Sequence, residues 1–360
     1  MDTITQAVIG AAAGQAVGSR ALGRRAAWVG ALGGWLPDAD VLIRSAADPL
    51  LAIEQHRGFT HALVFVPVGA ALAAAPFLLS RDLRARAGSV YLAALAGWAT
   101  HAPLDACTSY GTQLLWPFTD WRAAWNVVSI VDPLFTLPLL AGVLLAAAWG
   151  RALPAAAGLA WAVAWLGVGA IQHGRASAAQ AALAEARGHE PVRARVDPTL
   201  GNNVLWRSVY EKPDGRVHAD AVRVPYLGGA TVRAGASTEL ATVPDLLALV
   251  TADHAASVRA VRTWHWFADG WVSRADGPEG AVILTDLRYA GDPAGFEPLW
   301  SLTLRTRDVE RPVERTGPSA SNRGLAALWA EVTGRDERHR PLAAGGPAPG
   351  TLGLIGSGSK

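Results

Sequence analysis

Apolar stretches fill the first 171 residues of the chain, and histidines and aspartates stand at their edges. That combination narrows what the chain can fold into. The runs 62 to 79 (ALVFVPVGAALAAAPFLL) and 152 to 171 (ALPAAAGLAWAVAWLGVGAI) each approach the roughly 20 residues needed to cross hydrocarbon, and 134 to 149 falls just short. All three are read as transmembrane helices. Residues 89 to 106 are apolar but carry His101 and Asp105 near one end, while 4 to 17 and 26 to 36 form a weaker pair separated by Arg20, Arg24 and Arg25. These segments stay open between full spans, short tilted helices and a re-entrant hairpin. The chain starts without a basic region and carries its arginines after the first apolar stretch, which argues against a cleaved signal peptide and for a retained segment.

An ionisable group at a membrane edge or inside a span costs a few kcal/mol unless it is paired or bound to metal, so such groups are read as functional first. His56 and His61 lie in HRGFTH, His101 in HAPLD, and Asp38 and Asp40 in LPDAD. Imidazole mixed with carboxylate is the ligand set of zinc, manganese or iron. His101 and Asp105 are four apart, about 40° apart on one helix face, and can bind one ion together. Pro103 between them is expected to kink the helix or open a turn. A buried histidine bonded to its aspartate is the bland alternative. His56 and His61 are five apart, about 140° round a helix, so both reach one site only if His56 lies on a loop, with Gly58 permitting the turn. A polar interfacial collar is the other reading. Asp38 and Asp40 follow Pro37, and in a loop both can point at ions, or Asp38 simply stops a helix. Asp132 before Pro133 fits a site residue and an ordinary helix N-cap equally well.

Arginines between apolar segments cluster at 20 to 25, at 81 to 86 and at Arg151, which the positive-inside rule puts in the cytoplasm. Pro37 to His61, His101 to Ile130 and everything after about 171 then fall on the outer side, so the proposed ligands converge on one face. Trp35, Trp98, Trp116, Trp121 and Trp125 sit near the same edges as an aromatic belt would. The single cysteine, Cys107, excludes an internal disulfide and a cysteine metal cage. A net charge of +2 without basic-aromatic runs gives nucleic-acid binding no support. Phosphate loops and a Gly-x-Ser-x-Gly elbow are absent. The six other histidines (His173, His189, His218, His254, His265, His339) lack ligand spacing and are read as surface or packing residues.

The expected architecture is a polytopic α-helical membrane domain over 1–171, a connecting helix over 172–189, a soluble α+β domain with an antiparallel sheet over 190–335, and a disordered tail over 336–360. VRARV, LWRSVY, RVHADAVRV, VRAVRTWHWFA, GWVSR, AVILTDLRY and LWSLTLRTR read as strands, with Ala268 to Gly270 as a hairpin. Residues 237 to 252 and 321 to 333 look helical.

The passages MDTITQAVIGAA, LPDADVL, HRGFTHALVF, HAPLDACTSYGTQLLWPF and IVDPLFTLPLL occur in this order over residues 1 to about 140. Together they make the chain resemble the YdjM-like family of bacterial membrane-bound metal-dependent hydrolases. DPTLGNNVLWR at 197 to 207 looks like the start of the extra domain of longer members. The resemblance implies a metal site built by His56, His61, His101 and Asp105, with Asp38, Asp40 and Asp132 as further ligands or general base. Motif style is also similar to the zinc-dependent phospholipase C and P1 nuclease group, which is what favours phosphoester substrates. Gln6 stands where many relatives have histidine, and Ala62 where serine is common. With Asp2, Gln6 is therefore read as a hydrogen-bonding surround of the site.

The expected function is metal-assisted hydrolysis of an ester or phosphoester at the membrane interface, on a lipid or lipid-linked substrate. A bound divalent metal, zinc before manganese or iron, lowers the pKa of a water toward about 7; Asp38, Asp40 or Asp132 accepts its proton, and Arg57 stabilises developing charge. The expected location is the bacterial inner membrane, multi-pass, with the site and C-terminal domain outside. The rival is a non-catalytic scaffold or transporter with a structural metal; polar groups gathered at one face rather than the midplane disfavour a transporter.

Overall fold

The computed structural model describes residues 1–45, 47–249, 255–305, 313–316 and 322–342. The N-terminal part is helical: α1 (Thr3–Leu22), α2 (Arg25–Trp35), α3 (Leu51–Gln55), α4 (Val66–Ala74), α5 (Arg81–Arg84), α6 (Ala87–Ala106), α7 (Pro133–Trp149) and α8 (Leu153–Ala186). Beyond it come β1 (Arg193–Pro198), β2 (Leu205–Glu211), β3 (Arg216–Arg223), β4 (Thr231–Arg233), β5 (Ser237–Glu239), α9 (Val243–Leu247), α10 (Ala255–Phe267), β6 (Val272–Asp276), β7 (Val282–Asp286), β8 (Ser301–Leu304), β9 (Val313–Thr316), α11 (Asn322–Val332) and β10 (Arg340–Pro341).

Small residues set how closely α1, α2 and α6 approach. Gly10 and Gly14 on α1 face Gly30 and Gly34 on α2, and a Cβ on Gly30 would collide with the Gly10 carbonyl. Gly97 on α6 meets the Gly30 backbone in the same way. This is small-xxx-small packing, in which the missing side chains let backbones touch and gain dispersion contacts. Two apolar cores follow: Val8, Ile9, Phe135, Leu139 and Ala162 join α1, α7 and α8, while Val29, Ala73, Val90 and Trp98 join α2, α4 and α6.

Among the described residues one helix alone, α8, is long and apolar enough to cross a membrane; α7 is apolar but has 17 residues. The run expected to be one span at 62 to 79 forms Leu63–Leu79, which bends by 59° away from the preceding Leu51–His61 and is regular α-helix only over α4, with 3-10 turns at Leu63–Phe65 and Ala75–Leu79 on either side. Pro67 and Pro76, each in a first turn, withhold the N–H groups a continuous helix needs. By contrast α6 remains helical through Pro103. The connecting segment expected from 172 is not separate, because α8 runs unbroken over 34 residues, about 51 Å at 1.5 Å per residue. Its distal half packs on the first sheet, where Gln172 Nε2 donates to the carbonyls of Val224 (2.7 Å) and Asn203 (3.1 Å).

The C-terminal part is antiparallel throughout. One sheet has the order β1-β2-β3-β4-β10 with β5 also paired to β3, and the other runs β6-β7-β8-β9. The stretch read as a strand at 258 to 268 is α10. Its buried Ser257, Ala260, Val261 and Trp264 recur at helical spacing, which outweighs the alternation its arginines suggest. Ala268 to Gly270 therefore links a helix to β6 rather than two strands. Over 237 to 249 the expected helix gives way to β5 followed by α9. Order continues past 336, since Arg340 pairs with Val232; 343–360 and His254 lie outside the described residues.

The two parts are docked. Leu50 and Ile53 beside α3 are buried in the same core as Leu246, Trp264, Leu284 and Leu302. Arg259 of α10 binds Asp48 (2.8 Å) and Glu54 of α3, and Tyr289 Oη donates to the Ser109 carbonyl (2.7 Å). Replacing Gly30 by valine is expected to destabilise the helical part by about 1–3 kcal/mol through overpacking, read as a lowered Tm in detergent. Gly174→Ala on α8, where a Cβ meets nothing within 4 Å, should leave Tm unchanged or raise it through the roughly 1 kcal/mol helix preference of alanine.

Candidate metal centre

Close packing of α2 and α6 brings the His101 imidazole onto the end of α2, where its Nδ1 lies 2.6 Å from the Gly34 carbonyl oxygen. A carbonyl only accepts, so Nδ1 carries the proton and Nε2 presents a lone pair. His61 is set in the same sense. Thr60 Oγ1 donates to Asp40 Oδ2 (2.9 Å) and so accepts from His61 Nδ1 (2.9 Å), leaving His61 Nε2 as an acceptor. The two Nε2 atoms face each other at 2.9 Å. Two lone pairs at that separation repel unless a proton or a cation lies between the groups that carry them.

Carboxylates complete the cluster. Asp105 Oδ2 is 3.3 Å from His61 Nε2, and Asp38 Oδ1 is 3.5 Å from His101 Nε2. One ligand atom each from Asp38, His61, His101 and Asp105 lies within 4.8 Å of the others. Asp38 Oδ2 is buried without a hydrogen-bond partner, and Asp105 Oδ2 faces the Arg57 guanidinium. Buried polar atoms are normally satisfied, and four ligand atoms that converge this closely could hold a metal ion. Burial opposes ionisation of Asp38, but the imidazoles of His101 and His61 beside it prevail and hold its carboxyl below the usual carboxylate range.

The remaining candidates form a surround. Asp40, expected as a ligand or base, is turned away from the four: its Oδ1 pairs with His56 Nδ1 (2.7 Å), and its Oδ2 accepts from the Arg57 backbone N–H (3.0 Å) and from Thr60. Burial raises its pKa and the histidine contacts of His56 and His61 lower it by more, so it too is held ionised. His56, expected as a ligand, stands outside the four, with 36% of its side chain exposed. Gly58 was the residue expected to permit the turn here, yet Arg57 is the one in the left-handed region, at φ 61°. A long side chain rarely adopts that conformation, and the bonds from its N–H to Asp40 and from Gln113 N–H to its carbonyl (3.1 Å) fix it. The Arg57 side chain then reaches inward, with Nε 3.1 Å from Asp105 Oδ2 and Nη1 donating to Thr108 Oγ1 (3.1 Å).

Gln6 Nε2 donates to Asp105 Oδ1 (3.0 Å) and to the His101 carbonyl (3.3 Å). Asp2 does not reach the cluster; it caps α1 by accepting from Thr5 N–H (3.0 Å). The amine of Met1 pairs with Asp105 instead. Asp132 is likewise kept away from the cluster as the cap of α7. Its Oδ1 accepts from Leu134 and Phe135 N–H (3.0 and 3.1 Å) and its Oδ2 from Trp165 Nε1 (2.9 Å). The sequence reading missed Thr60 and the Gly34 carbonyl. The small-residue spacing of α1 and α2 was the available sign that backbone would stand open there.

Replacing His101 or Asp105 by alanine is expected to remove bound metal measured by elemental analysis. Thr60→Val and Gln6→Ala, which disturb orientation only, should weaken affinity about 10–100-fold.

The profile of the YdjM inner membrane protein family matches residues 1–176. The inner membrane protein YbcI of Escherichia coli (strain K12) is 34% identical over 131 residues, which cover 35% of this chain and 75% of the relative. No solved structure matches the chain significantly. All four clustered residues lie inside the matched region, and on the strength of that shared identity the chain belongs to the YdjM family of inner membrane proteins.

Proposed function

We propose that the chain is a multi-pass membrane hydrolase that uses a divalent metal, zinc before manganese or iron, held by Asp38, His61, His101 and Asp105. The observation that carries this reading is the set of four converging ligand atoms, with the buried Asp38 Oδ2 left unpaired. Two imidazoles and two carboxylates are a borderline donor set of the kind zinc accepts. When bound, such an ion supplies Lewis acidity, lowering the pKa of a water toward about 7 and drawing charge from an ester or phosphoester oxygen.

The protein's own groups do the rest. His56 donates from Nδ1 to the ionised Asp40, so its Nε2 is free to accept a proton in the partly open region beside the cluster. That dyad takes the general-base role expected of a lone aspartate. Arg57, fixed at both its backbone and its guanidinium, offers positive charge where an oxyanion would form. Thr60, Gly34 and Gln6 hold the ligands in orientation.

Exposed apolar side chains around the helices support membrane burial of α1, α4, α7 and α8. Ile4, Val17, Val68, Leu72, Leu137 and Val163 are each more than half exposed, a pattern that a bilayer rather than water accommodates. The positive-inside rule applied to Arg20 to Arg25, Arg81 to Arg86 and Arg151 then puts the cluster and the C-terminal domain on the outer face. A lipid or lipid-linked phosphoester suits a site at that interface. Division of the chain near 186–190, into a helical membrane part and a sheet domain, is part of the same proposal.

Burial of three of the four ligands favours a second reading, a structural ion that ties α2, α6 and the 3-10 turn at Phe59–His61 together. The two readings diverge in one assay. The hydrolase is expected to turn over members of a phospholipid and phosphodiester panel, to stop on chelation, and to recover when metal is restored. His56→Gln should keep its metal while kcat falls about 10²–10⁴-fold. Metal loss that lowers Tm, with no turnover across the panel, would establish the structural ion instead.

A further inference from the structure

Where the sheet domain meets the helical part, a cavity of about 240 Å³ opens beside the candidate metal centre, and His56 and Arg57 belong to both. Its remaining lining comes from both parts of the chain, with Tyr110 and Arg122 facing Trp264, Trp300 and Arg315. Among the described residues, no aspartate or glutamate lines it.

Its polar groups are almost all donors. Arg122 is neutralised by no carboxylate among the described residues: it donates to the carbonyls of Phe267 (2.9 Å) and Gly111 (3.2 Å) and lies over the Trp266 and Phe267 rings at 4.9 and 5.1 Å. Arg315 lies over Trp300 at 5.6 Å, again with no ion pair among the described residues. The buried N–H of Trp264 has no acceptor, while the Arg57 guanidinium is paired with Asp105 on the side of the cluster. Tyr110 Oη already accepts from Trp300 Nε1 (3.0 Å), so its own hydrogen is available to donate. Burial, and after it the charges of Arg288 and Arg57, push the Arg122 pKa down, the signature of a cation short of a counter-charge. Interleaved with these donors are Ala52, Ile53, Ile130 and Phe267, which are apolar.

Arg122 and Arg315, guanidinium groups with no carboxylate partner among the described residues, call for an acceptor-rich anion, and guanidinium groups match tetrahedral oxyanions well. The apolar residues between them call for hydrocarbon attached to that anion. We infer that this cleft binds the phosphate-type oxyanion of an amphiphilic substrate, held by Arg57, Arg122 and Arg315, with the sheet domain supplying half of the site. The inference rests on the hydrolase reading for the fate of the bound molecule, whose scissile bond it brings next to the Asp38, His61, His101 and Asp105 cluster. Arg57 is the hinge of the argument, since it contacts Asp105 on one side and lines the cleft on the other.

The test is isothermal titration of the full chain in a neutral detergent at constant ionic strength, with bound metal measured on the same samples. Inorganic phosphate and dihexanoyl phosphatidylglycerol are the two probes. Saturable 1:1 binding of at least one probe is expected, at least tenfold weaker in Arg122→Gln and in Arg315→Gln, and unchanged in Arg338→Gln on the far surface. Arg315 lies on an exposed strand, so its variant reports on the cleft even where Arg122→Gln loosens the docking of the two parts. Tenfold preference for the lipid identifies a headgroup as the source of the oxyanion, and equal affinity identifies a free phosphate. No saturation with either probe in folded protein overturns the inference. So do equal affinities in wild type and both cleft variants, or an equal loss in Arg338→Gln. Anion binding by protein that retains no metal would defeat the hydrolase reading while leaving the cleft, whereas metal retained without anion binding would do the reverse.

Discussion

Everything at the candidate centre depends on how closely α1, α2 and α6 approach one another. Glycines at 10, 14, 30, 34 and 97 let three backbones touch, and that contact puts the Gly34 carbonyl within 2.6 Å of His101 Nδ1. The carbonyl fixes the tautomer, the tautomer turns a lone pair inward, and that lone pair is what would let His101 serve as a ligand. A bulkier helix pair would hold the same sequence motif without the same chemistry. Packing and function are here one constraint, because the small residues that remove side-chain bulk also expose the backbone acceptor.

The same logic of donors and acceptors runs through the rest of the centre. Asp40 is ionised and fully used, by His56, by Thr60 and by the Arg57 backbone, and so organises rather than ligates. Asp38 keeps a buried oxygen without a partner, and Asp105 faces Arg57. Unpaired polar groups are costly in a low-dielectric interior. The left-handed backbone at Arg57 fits that picture. Its conformational cost is of the order of 1–3 kcal/mol, offset by bonds that place one guanidinium beside Asp105 and at the edge of a cleft.

Much of this was legible in the sequence, for physical reasons that differ from residue to residue. The i, i+4 spacing of His101 and Asp105 fixes a shared helix face whatever the tertiary context, and the two do converge. Loop residues carry no such guarantee. LPDAD offered two carboxylates, and only the fold decides that Asp38 turns toward the imidazoles while Asp40 turns toward His56. Asp132 before Pro133 had two readings, and α7 takes it as a cap. The sheets were readable from alternation, but 258 to 268 was not, since its arginines mimic period two while Ala260, Val261 and Trp264 follow the helical period. The 62 to 79 run has the composition of a span, yet its prolines leave regular α-helix only over α4, between 3-10 turns. The docking of the two parts was invisible, because Leu50 and Ile53 lie in the Pro37 to His61 connection, which carried no sign of a partner, and turn out to complete the core of a sheet domain.

Division of labour along the chain follows from where the family match stops. Residues 1–176, the span of the family match, contain every member of the cluster and its surround. Trp264, Phe267, Trp300 and Arg315 come later and supply the other wall of the cleft. A cluster that polarises a bond has little means of choosing among molecules, since a metal and two imidazoles would act on any ester brought within reach. Selection has to come from groups that contact the rest of the substrate and exclude the wrong one. On the proposed reading those groups sit largely on the sheet domain, docked through α10 onto α3 only a few residues from His56 and Arg57.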